Sequence, residues 1–230
     1  MTTPPRPRPR PLIDGLLDAP AVYALTSFPE PDLVACAEAV TAAMIGSLST
    51  GAPCLGREPE PGHLGMTGLI SCPAYAERLA ERLGLWSELT AIPLRSPAFA
   101  YLGNNLTADD LNPQADAKLA EVRALNPALL IVSACALTLA EPVTSTAQAR
   151  EIVESRLRWL AEGTSTAVLL DLSEITATGK AGTVDLYADA VDAVLALDPD
   201  RPAVHLSKAG ARVATHEPAL GLVGEMAVLS

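Results

Sequence analysis

The chain has 230 residues, of which 27 are acidic and 16 basic, so its formal net charge is −11. Apolar residues make up 49% of the sequence and aromatic residues only 3%, which is typical of a folded globular protein packed with small side chains. A protein that binds the nucleic-acid backbone needs positive charge, so we expect no nucleic-acid partner. No apolar run reaches the roughly 18 residues of a membrane span. No secretory signal is visible, so we expect no membrane partner and a cytoplasmic protein.

Within the first eleven residues, proline alternates with arginine from Pro5 to Pro11. Proline at nearly every second position keeps the backbone extended, and the arginines keep it in water. Residues 1–11 are therefore predicted to form a disordered arm.

The following residues, up to about position 126, alternate short strands with helices. A strand over 21–27 is followed by a helix over 33–47, for which Asp32 is the predicted cap. A long loop over 50–65 contains His63, which we interpret as a loop histidine because no metal-ligating partner accompanies it. The next predicted elements are a strand over 68–72, a helix over 74–83 ended by Gly84, a strand over 97–102 and a helix over 115–125.

The apolar pattern is stronger after residue 127. Residues 128–137 form a nearly continuous apolar run, as expected of a strand covered on both faces. Ser145 and Gln148 have the spacing of a capping box at the start of a helix that Gly163 ends. The next predicted elements are a strand over 167–172, a helix from about 183 to 197, a strand over 202–206 and a short helix over 208–216, followed by an apolar tail that we expect to be docked. This alternating strand–helix order predicts an α/β fold, with a mixed or mainly parallel sheet and helices packed on it.

The four cysteines are Cys36, Cys54, Cys72 and Cys135. None belongs to a Cys-x-x-Cys pair, which structural zinc sites normally use, so we expect reduced and mostly buried thiols. Cys72 precedes a predicted helix and Cys135 lies near a strand end, which makes these two the candidates for a reactive thiol. The sequence predicts no metal and no cofactor.

Two features near residue 180 raise the question of a phosphate or metal site. A phosphate loop needs a glycine five positions before Gly179 and a hydroxyl after Lys180, but Glu174 and Ala181 occupy those positions. The nearby residues Asp185, Asp189 and Asp192 would share one face of the predicted helix. Carboxylates at this spacing could bind magnesium, but a solvated or partner-docking face is the preferred interpretation.

The segment Val168-Leu-Leu-Asp-Leu-Ser-Glu-Ile-Thr176, with Gly182 eleven residues after Asp171, resembles the signature of the STAS domain of anti-sigma-factor antagonists. The resemblance covers about the last 100 residues. It implies a non-enzymatic docking domain over 127–230, preceded by an N-terminal α/β region of unknown role over 12–126. Gly179 and Lys180 stand where that family has its aspartate and phosphorylatable serine, so the usual phosphorylation switch is missing.

The sequence is therefore compatible with two functions. The first is a regulatory or assembly protein that binds a protein partner, or a second copy of itself, through the loop and helix of the STAS-like domain. Its predicted partner-binding residues are Thr178, Lys180, Thr183, Asp185, Asp189 and Asp192. The alternative is a small enzyme of the lyase or isomerase type that acts on a small molecule, with 12–230 as one α/β domain. Its candidate catalytic residues are Cys72, Cys135, His205 and Lys208, gathered at one sheet edge.

Overall fold

The computed structural model describes residues 10–26, 31–103, 106, 113–137, 143–173, 186–197, 204–208 and 211–216. A small antiparallel hairpin, β1 (Arg10–Ile13) and β2 (Leu17–Ala19), precedes the main sheet. The strands of the main sheet are β3 (Ala21–Thr26), β4 (Thr67–Ile70), β5 (Phe99–Tyr101), β6 (Leu129–Ser133), β7 (Ala167–Asp171), β8 (Ala193–Leu197), β9 (Val204–Lys208) and β10 (Ala211–His216).

The eight strands lie in the order β10-β9-β8-β3-β7-β6-β4-β5. Strands β5, β4, β6, β7, β3 and β8 run parallel, whereas β9 and β10 are antiparallel to their neighbours. Central strands β6 and β7 are buried along their whole length, which explains their unbroken apolar sequences. The predicted α/β class with a mainly parallel mixed sheet is confirmed.

Helices cover both faces of this sheet. α1 (Pro31–Thr50) and α2 (Pro73–Thr90) pack on one face. α3 (Pro113–Leu125) packs on the other, together with α4 (Thr146–Ile152), a π-helical turn (Val153–Arg158) and α5 (Trp159–Thr164). Short 3₁₀ turns occur at Pro61–His63 and Ala134–Ala136. Among the described residues, no helix is long and apolar enough to cross a bilayer.

Three predicted elements differ from the structure. The helix expected from about 183 to 197 is wrong over 189–197, because residues 189–192 form a turn and Ala193–Leu197 pairs with β3 and β9 as strand β8. The helix expected over 208–216 is also wrong, because Ala211–His216 forms an antiparallel hairpin with β9. Gly84 does not end α2, which continues to Thr90 and is capped by Ala91 in the left-handed conformation. Tertiary pairing and packing override weak local signals at all three places.

The capping box is confirmed in part. The Ser145 hydroxyl accepts a hydrogen bond from the backbone N–H of Gln148. The Gln148 side chain instead accepts from the backbone N–H of Thr144, one residue before the cap. Both contacts fix the first turn of α4, because they satisfy backbone donors at its entry.

Candidate functional site

Four neighbouring parallel strands place polar residues at one edge of the sheet. At their carboxyl ends lie Thr26 of β3, Ser71 just after β4, Ser133 of β6 and Asp171 of β7. All four residues are buried, although most residues of these strands are apolar. The carboxyl edge of a parallel sheet is where α/β proteins place their ligands. We call these four residues and their immediate contacts the carboxyl-edge site.

The elements that follow these strands pack on opposite faces of the sheet. The helices after β3 and β4 pack on one face of the sheet, whereas α4 after β6 and the segment with Tyr187 after β7 pack on the other. Neighbours β3 and β7, and neighbours β4 and β6, are therefore followed by elements on opposite faces of the sheet. In this architecture, ligands usually bind in a crevice outside the ends of such strands. We call the expected position outside β3 and β7 the first crevice, and that outside β4 and β6 the second crevice.

Asp171 is the charged residue at the first crevice. Its Oδ2 accepts a hydrogen bond of 2.5 Å from the Tyr75 hydroxyl, and its Oδ1 accepts from the backbone N–H and the hydroxyl of Ser173, at 2.9 and 2.6 Å. Burial, and then the neighbouring Asp171 carboxylate, raise the pKa of Tyr75 well above its ordinary value. Tyr75 is therefore a neutral donor, and both oxygens of Asp171 are engaged by donors of the chain itself.

Cys72, Cys135 and Ser133 meet at the second crevice. The Cys135 Sγ accepts a hydrogen bond from the backbone N–H of Cys72 at 3.1 Å and lies 2.9 Å from the Ser133 hydroxyl. Cys72 is the N-cap residue of α2, and Cys135 lies in the 3₁₀ turn that follows β6. The structure thus brings together two of the four residues proposed for an enzyme.

The other two residues of that set lie elsewhere. His205 is buried within β9, two strands away from β3. Because β9 is antiparallel to β8, its last residue Lys208 lies at the opposite, amino edge of the sheet, where its Nζ is 3.8 Å from the Asp18 carboxylate. A single site formed by Cys72, Cys135, His205 and Lys208 is therefore not what the structure shows.

The predicted partner-binding residues are described only in part. Thr178, Lys180, Thr183 and Asp185 lie outside the described residues. Asp189 and Asp192 stand in a turn before β8 rather than on one helix face. The Asp192 carboxylate accepts from the Val22 backbone N–H at 2.8 Å and from Arg158 at 2.9 Å, so it joins β3 to the π-helical turn. Among the described residues, no group of three metal-ligating side chains is present.

No family model matches the sequence, and no curated protein is significantly similar to it. Among solved structures, a KaiC-like protein of the hyperthermophilic archaeon Pyrococcus horikoshii OT3 aligns with a TM-score of 0.51 and 16% identity, over 86% of this chain and 83% of that one. The fold is similar to that of this KaiC-like protein. The RadB recombinase aligns with a TM-score of 0.44 and 15% identity, over 83% of this chain and 81% of that one.

This likeness corrects the STAS assignment. The alignment extends over 86% of the chain rather than its last 100 residues. In the structure, the strand that carries the STAS-like segment is β7, which lies between β6 and β3 within the eight-stranded sheet. The STAS resemblance is wrong, and with it the docking function that it implied. A short apolar strand followed by Asp-Leu-Ser is too common among buried parallel strands to identify a fold.

Sequence reasoning found only part of the carboxyl-edge site. It singled out Cys72 and Cys135, and it used Asp171 only as part of a motif. It missed Thr26, Ser71, Tyr75 and Ser133. A usable signal was present, because Ser133 and Asp171 each close an apolar strand with a polar residue. Tyr75 gave no such signal, since its position on α2 does not reveal a partner 96 residues away.

Proposed function

We propose that this protein binds a nucleoside or nucleoside monophosphate at the carboxyl-edge site. The observation that carries the proposal is the set of four neighbouring parallel strands, each of which ends in, or is directly followed by, a residue with a hydroxyl or carboxylate group. Doubly wound sheets bind nucleotides in crevices of this kind. The overall likeness to a KaiC-like protein supports the fold on which this placement rests.

The chain lacks the residues for phosphate-loop hydrolysis. That motif, Gly-x-x-x-x-Gly-Lys-Ser/Thr, joins a strand to a helix and holds phosphates through backbone N–H groups, a lysine and a magnesium ion. Here β3 and α1 are joined by Ser27-Phe-Pro-Glu30, which has neither glycine nor lysine, and the motif occurs nowhere else in the sequence. Asp171, the carboxylate nearest to this junction on the next strand, already accepts from Tyr75 and Ser173.

Charge and chemistry favour a ligand with few phosphates. The net charge of −11 opposes a triphosphate at long range, and this effect grows as ionic strength falls. Thr26, the most exposed of the four residues, offers a hydroxyl group that suits the hydroxyls of a sugar and the edge of a base. The hydroxyl groups of Ser71 and Ser133 contact the Cys72 carbonyl and the Cys135 sulfur, and they line the site from behind. The proposed ligand is therefore recognised mainly through neutral hydrogen bonds.

Isothermal titration calorimetry of the full chain with adenosine, AMP, GMP and ATP, with and without magnesium, tests the proposal. We expect saturable binding of a nucleoside or monophosphate, and release of phosphate from ATP no faster than in buffer. Thr26→Val removes one hydroxyl at nearly constant shape and is expected to weaken binding about tenfold, equivalent to about 1.4 kcal/mol.

Thr166→Val is the matched control. Thr166 is a buried threonine just before β7, at the amino edge of the sheet, and its hydroxyl bonds to backbone carbonyl groups. The Thr166→Val variant should bind the ligand with unchanged affinity. Absence of binding by all four compounds, or equal weakening by both variants, would overturn the proposal. If the chain released phosphate from ATP in a magnesium-dependent reaction, and Asp171→Asn abolished this release, the protein would instead be a nucleotide hydrolase.

A further inference from the structure

We propose that Cys135 is a site of thiol oxidation by a peroxide, and that Cys72 completes the reaction by forming a disulfide with it across the crevice between β4 and β6. This inference does not depend on ligand binding at the carboxyl-edge site. It rests on the positions, exposure and hydrogen bonds of two sulfur-bearing residues that are 63 positions apart in the sequence.

The two residues are close enough for a disulfide. The Cys135 Sγ lies 3.1 Å from the backbone nitrogen of Cys72, and an N–Cα bond is about 1.5 Å long, so this Sγ is at most about 4.6 Å from the Cys72 Cα. In a disulfide, the Cα–Cβ, Cβ–Sγ and Sγ–Sγ bonds together place the sulfur of one cysteine up to roughly 4.5 Å from the Cα of the other, so a disulfide fits this separation. The adjacent strands β4 and β6 hold this spacing through their pairing at Ile70 and Val132.

The surroundings of Cys135 favour its reaction. Cys135 is exposed to solvent, whereas Cys72 is half-buried and Cys54 is fully buried. Its sulfur accepts the Cys72 N–H at the start of α2, an 18-residue helix, and contacts the Ser133 hydroxyl. Hydrogen-bond donors and a helix N-terminus stabilise a sulfur that carries negative charge, and exposure admits the oxidant.

The chemistry balances with one peroxide. The Cys135 sulfur attacks one peroxide oxygen, the O–O bond breaks, and the leaving hydroxide takes the thiol proton to give water and a sulfenic acid. The Cys72 sulfur then attacks the Cys135 sulfur, the S–O bond breaks, and the departing hydroxide takes the second thiol proton as water. Two thiols lose two electrons in total, and hydrogen peroxide is reduced to two molecules of water.

Peptide mass spectrometry of the full chain, after brief exposure to hydrogen peroxide and alkylation under denaturing conditions, tests the proposal. We expect a cross-linked Cys72–Cys135 peptide, with Cys36 and Cys54 still alkylated. In Cys72→Ser the second step is blocked, so dimedone should trap a sulfenic acid at Cys135, at least about tenfold faster than at Cys54. Cys135→Ser should abolish the cross-link.

Cys36→Ser is the matched control and should leave the cross-link unchanged. Far-ultraviolet circular dichroism of each variant checks that it is folded. A Cys72–Cys135 peptide that forms no faster in the native chain than in the denatured chain would overturn the proposal. So would dimedone trapping mainly at Cys36, or disulfides found only between chains.

Discussion

The Tyr75 hydroxyl lies 2.5 Å from the Asp171 Oδ2, although 96 residues separate the two in the sequence. This contact joins α2, on one face of the sheet, to the carboxyl end of the central strand β7. Because both side chains are buried, each one satisfies a polar group that water does not reach. The contact therefore both stabilises the fold and shapes the first crevice of the carboxyl-edge site.

Tyr75→Phe is expected to destabilise the protein by about 1–3 kcal/mol, because it leaves the Asp171 carboxylate short of one buried donor. Urea unfolding measures the loss. Tyr187→Phe is the matched control, since Tyr187 is also buried and no hydrogen bond to its hydroxyl is seen among the described residues. It should cost less than about 0.5 kcal/mol. Equal losses in both variants would mean that the contact with Asp171 contributes nothing specific.

Two glycines in the helices α1 and α2 are expected to respond in opposite directions to alanine. A Cβ at Gly46 would lie 2.6 Å from the Trp86 ring, so Gly46→Ala should overpack the contact between α1 and α2 and cost about 1–3 kcal/mol. A Cβ at Gly84 meets nothing within 4 Å. Gly84→Ala should therefore raise the free energy of unfolding by about 0.5–1 kcal/mol, through helix propensity alone. Thermal unfolding measures both changes. If the two variants were both stabilised or both destabilised, the packing described here would be contradicted.

Asp192 and Asp189 are separated by three positions but differ in their contacts. Asp192→Ala removes the acceptor of the Val22 N–H and a partner of Arg158, and is expected to cost about 1–3 kcal/mol, mostly from the unpaired amide. Asp189 is exposed and makes no hydrogen bond among the described residues, so Asp189→Ala should change stability by less than about 0.5 kcal/mol. Chemical denaturation of both variants measures the difference. Equal effects would show that Asp192 has no structural role of its own.

The Cys54 thiol is expected to lower the free energy of unfolding at alkaline pH. Burial raises its pKa from 9.0 to about 12 in the folded chain. Above pH 9 the unfolded chain therefore loses this proton while the folded chain keeps it, so the free energy of unfolding falls as pH rises through this window. The expected loss between pH 8 and pH 10 is about 1.4 kcal/mol. Urea unfolding should show this loss in Cys36→Ala and a flatter profile in Cys54→Ala. Parallel profiles would contradict the assignment.

The division of the chain at residue 127 remains a prediction, and we propose the alternative, one α/β domain over 12–230. The reason is β3, which lies between β7 and β8 and pairs with both. A fragment over 127–230 would lack this central strand and expose the apolar edges of its neighbours. Thermal unfolding should show no cooperative transition for the fragment and a single one for the full chain. A fragment that melts cooperatively would restore the two-domain division.

Local sequence patterns predicted most of the fold, because apolar runs and helix caps act over a few residues. They were insufficient for Ala193–Leu197, where five small apolar residues suit a helix or a strand equally and the pairing with β3 decides. The site depends even more on long-range pairing. The contacts between Cys72 and Cys135 and between Tyr75 and Asp171 exist only because the order of strands β4, β6 and β7 brings their carboxyl ends together.

Hydrogen–deuterium exchange of the full chain, with and without millimolar AMP or GMP, tests the location of ligand binding most directly. We expect slower exchange in the segments after β4 and β6, over residues 71–76 and 133–137. We expect no change at the amino edge, where a cavity of about 260 Å³ is lined by Arg10, His63, Asn126 and Thr166, among others. Protection confined to residues 62–65 and 126–128, or no protection with either nucleotide, would contradict binding at the carboxyl-edge site.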